Sequence, residues 1–112
     1  MGSASESQGP AYQNLVEFVE KYVTVIYSDA VDFTGEEVRW CPEWWQHPSA
    51  IARMDAMWRS WEHLRLDGNT GLSLWFREHG DYHMRELFRQ DGPFRRCSAR
   101  NGHHDVGKGV AR

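Results

Sequence analysis

"PSAIARMDAMWRSWEHLRLDG", residues 48–68, carries the pattern of one amphipathic helix. Pro48 suits the first helical turn, where its missing N–H costs nothing, and Gly68 is a typical stop signal. Apolar side chains recur at spacings of three and four, which gathers them on one side of the helix: Ile51, Met54, Trp58 and Trp61. The stretch therefore predicts a helix that packs two indole rings into the core.

Two further helices are predicted, one on each side of this stretch. Residues 12–28 carry apolar side chains at helical spacing, and so do residues 70–90, after which Gly92 and Pro93 end the helix. Gly80 interrupts the last helix and predicts a kink, or a restart with Asp81 as cap. The apolar stripe predicted for that helix consists of Leu72, Phe76, His79, His83 and Leu87.

The predicted fold is mainly α: a small three-helix domain with an irregular, tryptophan-rich connection. That connection is "RWCPEWWQHPSA", residues 39–50. A short β segment also fits the pattern near residues 31–40. Because 13% of the 112 residues are aromatic, including six tryptophans, we expect large side chains to fill a small interior.

A single domain is expected from the length of the chain. Residues 1–10 are small and polar, and residues 98–112 are basic and rich in glycine, so both ends are predicted to be disordered around a domain over residues 11–97. The start resembles no secretion signal, and no apolar run reaches the length of a membrane span. We therefore expect a cytoplasmic protein with no membrane partner.

Cysteine and histidine residues suggest a metal site. In a reducing compartment, two cysteines are more typical of free thiols or metal ligands than of a Cys41–Cys97 disulfide. Structural zinc takes four nitrogen or sulfur ligands, and histidines four residues apart project from adjacent turns of a helix. The pattern predicts structural zinc on Cys41, His79, His83 and Cys97, with His47 as the reserve ligand. The alternative is that these side chains are ordinary parts of the core.

Catalysis finds little support, and no catalytic residue is assigned. "HGDYH", residues 79–83, lacks the glutamate that follows the first histidine in a zincin helix. "HHD", residues 103–105, is similar to the His-Asp pair of metal phosphohydrolases but has no further ligands beside it. A nucleophilic Cys41 or Cys97 would have no orienting third group in the sequence.

Two kinds of binding partner remain open. The first is a protein that contacts an exposed part of the tryptophan-rich run, for which Trp44 and Trp45 are the predicted residues. The second is nucleic acid, contacted through a basic C-terminal end whose cations are Arg95, Arg96, Arg100, Lys108 and Arg112. Residues 1–40 carry seven acids and two bases, a net charge of −5 that would repel a phosphate backbone. The favoured interpretation is therefore a helical binding or adaptor module, with a nucleic-acid accessory protein as the alternative.

Two longer stretches carry a family resemblance. "RWCPEWWQHPSAIARMDAMWRSWEHLR" (39–65) and "LSLWFREHGDYHMRELFRQDGPFRRC" (72–97) resemble the shared module of an uncharacterised family of small actinobacterial proteins. The resemblance rests on W-C-x-E-W-W-x-H-P, H-x-D-x-H and G-P-F-x-x-C. It implies a bacterial cytoplasmic setting and an association with plasmids, integrated elements and phages, and it implies no particular activity.

Overall fold

The computed structural model describes residues 9–33, 35 and 37–104. These residues form four helices, which confirms the predicted mainly α class. The described part of the chain contains no β-strand, and its one isolated bridge joins Ser98 and Gly102. None of the described residues in the expected β segment, near residues 31–40, forms a strand. The Arg39 N–H donates instead to the Phe88 carbonyl at the end of a helix (2.9 Å).

The first helix, α1, consists of Leu15–Phe18, a π-helical turn Val19–Val23, and Thr24–Ile26. It starts at Asn14, whose side chain accepts the Glu17 N–H (2.8 Å). The short helix α2, Ser28–Val31, follows it directly. The side chains that the two helices bury are Phe18, Val19, Val23 and Val31.

The second long helix, α3, runs over Pro48–Leu64 after a 3-10 turn at Trp44–Gln46. Pro48 occupies the first turn, as predicted. Met54 and Trp61 are buried, whereas Ile51 is 37% exposed and Met57 takes its place in the core. Gly71 begins the next helix so close to the Leu64 carbonyl oxygen that a Cβ on it would collide with that oxygen. Glycine at this position therefore allows a tight connection between the two helices.

The last helix, α4, consists of Gly71–Trp75, a π-helical turn Phe76–Gly80, and Asp81–Phe88. Gly80 stays helical at φ −60° and ends the π turn, and Asp81 begins the last α-helical stretch without capping it through its side chain. A π turn holds one extra residue, so the buried face steps by five there and passes through Gly71, Trp75, Gly80, Met84 and Leu87. This extra residue moves the buried stripe away from the one that a regular period predicts.

Gly80 is the residue that lets α4 approach Tyr27, which lies between α1 and α2. A Cβ built on it would lie 2.7 Å from the Trp75 ring and 2.7 Å from the Tyr27 hydroxyl. Trp75 is fully buried, and its Nε1–H donates to the Met57 carbonyl (3.0 Å) and the Ser60 hydroxyl (3.1 Å). This indole therefore joins α4 to α3 with two hydrogen bonds as well as by packing.

Aromatic rings fill much of the remaining interior. One group has neighbouring ring centroids 4.8–6.2 Å apart and joins the N-terminal segment to α1 and α3: Tyr12, Phe18, Tyr22 and Trp61. Trp40 packs against Phe88 and Phe94 at the other end (6.1 and 5.3 Å). No helix in the described part of the chain is long and apolar enough to cross a membrane.

The Glu62 carboxylate on α3 accepts hydrogen bonds from the N-terminal segment, residues 9–14. That carboxylate accepts the N–H groups of Ala11 (3.0 Å) and Tyr12 (3.2 Å), the Trp58 indole N–H (3.1 Å) and the Arg65 guanidinium (2.9 Å). Burial by itself raises the pKa of Glu62, but these four donors outweigh it and hold the pKa below its ordinary value of 4.5.

Glu62→Gln is expected to lower the free energy of unfolding by about 1–3 kcal/mol near neutral pH, because one amide oxygen replaces a carboxylate that serves several donors. Since the folded pKa lies below the unfolded value, the carboxylate stabilises the fold above about pH 4.5 and loses this contribution as the pH falls through the folded pKa. Urea unfolding between about pH 7 and about pH 3 should show the gap between wild type and variant closing.

The control is Asp55→Asn, which removes an exposed ion pair with Arg59 (2.8 Å). It should cost less than about 1 kcal/mol, because exposed ion pairs contribute little. A gap between wild type and Glu62→Gln that stays constant across this pH range would contradict the assigned role of the carboxylate.

Candidate metal centre

Two short segments with the same spacing build the site. Cys41 and His47 are separated by five residues, and so are Cys97 and His103. In the first segment the Trp44–Gln46 turn reverses the chain, and the His47 N–H donates to the Trp44 carbonyl (3.1 Å). In the second, Ser98 and Gly102 exchange two backbone hydrogen bonds (3.2 and 2.8 Å) around a tight turn. Each turn returns its histidine to its cysteine.

The four side chains converge on one point. One ligand atom from each of Cys41, His47, Cys97 and His103 lies within 4.8 Å of the other three. The His103 Nδ1 is 3.2 Å from the Cys41 Sγ and 3.8 Å from the Cys97 Sγ, and the His47 Nε2 is 3.6 Å from the Cys97 Sγ. Around tetrahedral zinc, a sulfur and a nitrogen ligand lie about 3.5 Å apart, so the donor atoms already have the spacing of such a site.

The cluster is enclosed by protein. Both cysteines are fully buried, His47 is 8% exposed and His103 is half-buried. The His47 ring packs edge-on against Phe94 (4.9 Å) and against His103 (5.0 Å). Two thiolates and two neutral imidazoles would balance the charge of a divalent cation, which makes burial of the complex less costly than burial of a bare charge.

Backbone N–H groups point at both sulfur atoms. The His104 N–H donates to the Cys97 Sγ (3.3 Å), and the Glu43 N–H donates to the Cys41 Sγ. Burial and the neighbouring Cys97 sulfur raise the pKa of the Cys41 thiol to about 12. A cation that binds here must therefore displace a thiol proton, and the two N–H donors then stabilise the thiolates that remain.

The structure brings together three of the residues that the sequence singled out, Cys41, Cys97 and the reserve ligand His47. It places His79 and His83 outside the cluster. The His83 Nδ1 lies 3.0 Å from the Arg53 guanidinium, and burial together with that charge lowers the pKa of His83. The predicted stripe assumed a regular α-helix, whereas the π turn at Phe76–Gly80 shifts the histidines off the buried face.

His103 is the member of the cluster that sequence reasoning missed. It lies beyond residue 97, the predicted end of the folded domain, yet residues 98–104 turn back onto the tryptophan-rich run. The repeated spacing of Cys41–His47 and Cys97–His103 is the signal that could have identified it. Residues 1–8 and 105–112 of the predicted disordered ends lie outside the described residues.

The residues predicted to contact partners have different environments. Trp44 is buried and its indole N–H donates to the Glu20 carboxylate (2.9 Å), whereas Trp45 is 48% exposed and meets the Trp44 ring edge-on (5.7 Å). Arg95, Arg96 and Arg100 are exposed around Cys97. The other two cations of the predicted basic end, Lys108 and Arg112, lie outside the described residues.

Comparison with known proteins gives a family and no further relative. No curated protein and no solved structure matches the chain. The family model described as "Domain of unknown function (DUF4913)" matches residues 12–110, which include all four helices and all four residues of the cluster. The chain therefore belongs to the DUF4913 family.

Proposed function

We propose that the chain is a small helical binding module in which a structural zinc ion joins the tryptophan-rich run (residues 39–50) to the C-terminal segment (residues 97–104). The observation that carries this proposal is the convergence of Cys41, His47, Cys97 and His103. Four protein ligands complete a tetrahedral zinc site and leave no open position for a reacting water. This favours a structural ion over a catalytic one.

The donor set favours zinc among the common metals. Calcium and magnesium take oxygen ligands, whereas thiolate sulfur and imidazole nitrogen in a tetrahedral arrangement are typical of zinc. Neither Cys41 nor Cys97 is in a disulfide, so both sulfur atoms are available as ligands. The ion would hold together two segments that residues 48–96 separate in the sequence.

Trp45 is the side chain that we assign to partner binding. It is the exposed member of the Trp44–Trp45 pair, and the buried Trp44 holds its neighbour in place through the hydrogen bond to Glu20. Large exposed aromatic side chains on a rigid support are typical of protein-binding surfaces. The proposed partner is a protein. The proposed setting is the cytoplasm of an actinobacterium, with the gene carried by a plasmid, phage or integrated element, as the resemblance implies.

A nucleic-acid accessory function is the second candidate. Its support is the exposure of Arg95, Arg96 and Arg100 on the segment that the zinc ion would hold. The net charge of −5 on residues 1–40 opposes it, because that end of the chain would repel phosphates.

The proposal is tested by metal analysis of protein purified without a polyhistidine tag. We expect one zinc ion per chain, and at least about tenfold weaker zinc binding in Cys97→Ser and His103→Ala. His79→Ala and His83→Ala are matched controls, because they remove histidines that lie outside the cluster, and both should keep wild-type zinc content. Protein that holds no zinc after purification in zinc-containing medium would overturn the proposal.

A further inference from the structure

The cluster contains the only two cysteines of the chain, and their sulfur atoms are close together. The Cys41 and Cys97 sulfur atoms lie within 4.8 Å of each other, although residues 42–96 separate them in the sequence. In a tetrahedral zinc site two thiolate sulfurs lie about 3.8 Å apart. A disulfide requires them to approach to about 2.05 Å, a movement of less than about 2 Å.

The segment that covers the sulfurs is short and lies at the surface. Residues 98–104 pass over them, and here His103 is half-buried and His104 is exposed. Within that segment the Ser98–Gly102 pair supplies two backbone hydrogen bonds, and the His103 ring and the His104 N–H contact the cysteine sulfurs directly. Local opening of such a segment costs less than global unfolding and admits small solutes to the buried sulfurs.

We propose that Cys41 and Cys97 form an oxidation site at which a peroxide converts the zinc-bound thiolates into a disulfide and releases the metal. This inference rests on the proposed zinc site. The chemical class of the co-reactant is hydrogen peroxide or an organic hydroperoxide. The product is an oxidised, zinc-free chain in which Cys97 is bonded to Cys41 and the metal no longer holds His103.

The reaction balances in two steps. A thiolate sulfur attacks one peroxide oxygen and the O–O bond breaks, which produces a sulfenic acid. The leaving group is hydroxide from hydrogen peroxide or alkoxide from an organic hydroperoxide, and it takes a proton to become water or an alcohol. The second thiolate then attacks the sulfenic sulfur, the S–O bond breaks, and the hydroxide that leaves takes a proton to become water. The two sulfurs lose two electrons, the peroxide gains them, and the zinc ion dissociates because the two imidazoles alone hold it weakly.

The experiment treats the zinc-loaded full chain with hydrogen peroxide and follows zinc release with a chromophoric chelator, together with the remaining thiols. We expect one zinc ion to be released for every two thiols lost, over minutes to hours, and a protease digest to contain a peptide containing Cys41 linked to one containing Cys97. Dithiothreitol and added zinc should restore both thiols and the metal. Because the chain has no other cysteine, every thiol lost is one of this pair.

Cys41→Ser and Cys97→Ser test the second step, because each leaves one thiol that can form a sulfenic acid and no partner with which it can form an intramolecular disulfide. In these variants the sulfenic acid formed from the remaining thiol should be trapped by dimedone as a thioether. Thiols that survive peroxide while zinc stays bound would overturn the inference and leave the zinc proposal standing. Thiol loss in the wild type that yields sulfinic acid and no linked peptide would also overturn it. Protein that never binds zinc would instead overturn the proposed function.

Discussion

Removal of the metal with a chelator is expected to lower the melting temperature by about 15–30 °C. A ligand that binds only the folded state stabilises it by about 4 kcal/mol when its free concentration is about 1,000 times its dissociation constant. For a domain of about 100 residues, each kcal/mol shifts the melting temperature by about 4–8 °C. The apparent affinities of structural zinc sites make that excess available at micromolar free zinc.

After chelation, residues 98–104 should be the first part of the domain to unfold. Without the ion, residues 98–104 contact the cysteine sulfurs through the His103 ring and the His104 N–H, and the two Ser98–Gly102 hydrogen bonds lie within the segment itself. Differential scanning calorimetry with and without chelator measures the overall shift, and hydrogen exchange should show residues 98–104 losing protection before α3 does.

The control for chelation is the double variant Cys41→Ser, Cys97→Ser. It should melt near the temperature of the chelated wild type and should not respond to chelator, because it has lost both thiolates. A wild-type melt that chelation leaves unchanged would show that the cluster is part of the metal-free core.

Trp75→Ala is expected to lower the free energy of unfolding by about 3–5 kcal/mol. The Trp75 ring is fully buried between α3 and α4, so its removal leaves a cavity and deprives the Ser60 hydroxyl of its indole partner. Trp75→Phe keeps most of the ring volume and loses both indole hydrogen bonds, so it should cost less. Urea unfolding followed by circular dichroism measures all of these changes as shifts of the midpoint at a constant slope.

Trp45→Ala is the matched control, because the same side chain is removed from a position that is 48% exposed. It should cost less than about 1 kcal/mol. If both variants destabilise the protein equally, the burial described for the two rings is wrong. A stable Trp45→Ala protein is also the variant for partner studies, since a loss of binding in it cannot come from unfolding.

The sequence predicts a regular element well and an irregular one poorly. The α3 helix was predicted with its correct start, because Pro48 and an unbroken 3.6-residue period both act locally. In α1 and α4 the π turns add one residue, and no short-range signal in the sequence shows where that happens. The stripe predicted for α4 therefore selected His79 and His83, whereas the structure buries Gly80 and Met84.

The cluster of Cys41, His47, Cys97 and His103 was predicted only in part for a similar reason. Both cysteines and His47 were identified from their residue types, but the choice of the remaining ligands depended on which side of α4 faces inward. His103 was excluded because the composition after residue 97 is typical of disorder, and composition carries no information about a ligand bond. The turns that carry His47 and His103 meet only in the folded chain. In the sequence, the repeated Cys–His spacing is the signal that indicates their pairing.

The two pairs of cluster residues, Cys41 with His47 and Cys97 with His103, lie far apart along the chain, so the ribosome makes them at different times. Cys41 and His47 leave the ribosome early, but their two partners follow only after residues 48–96 have been made. Two ligands hold zinc far less tightly than four, so high-affinity binding at the proposed site would begin only when His103 has emerged. A chain that stops before that residue contains every helix of the domain and still lacks a complete site. Occupancy of the proposed zinc site would therefore distinguish chains that include His103 from chains that stop before it.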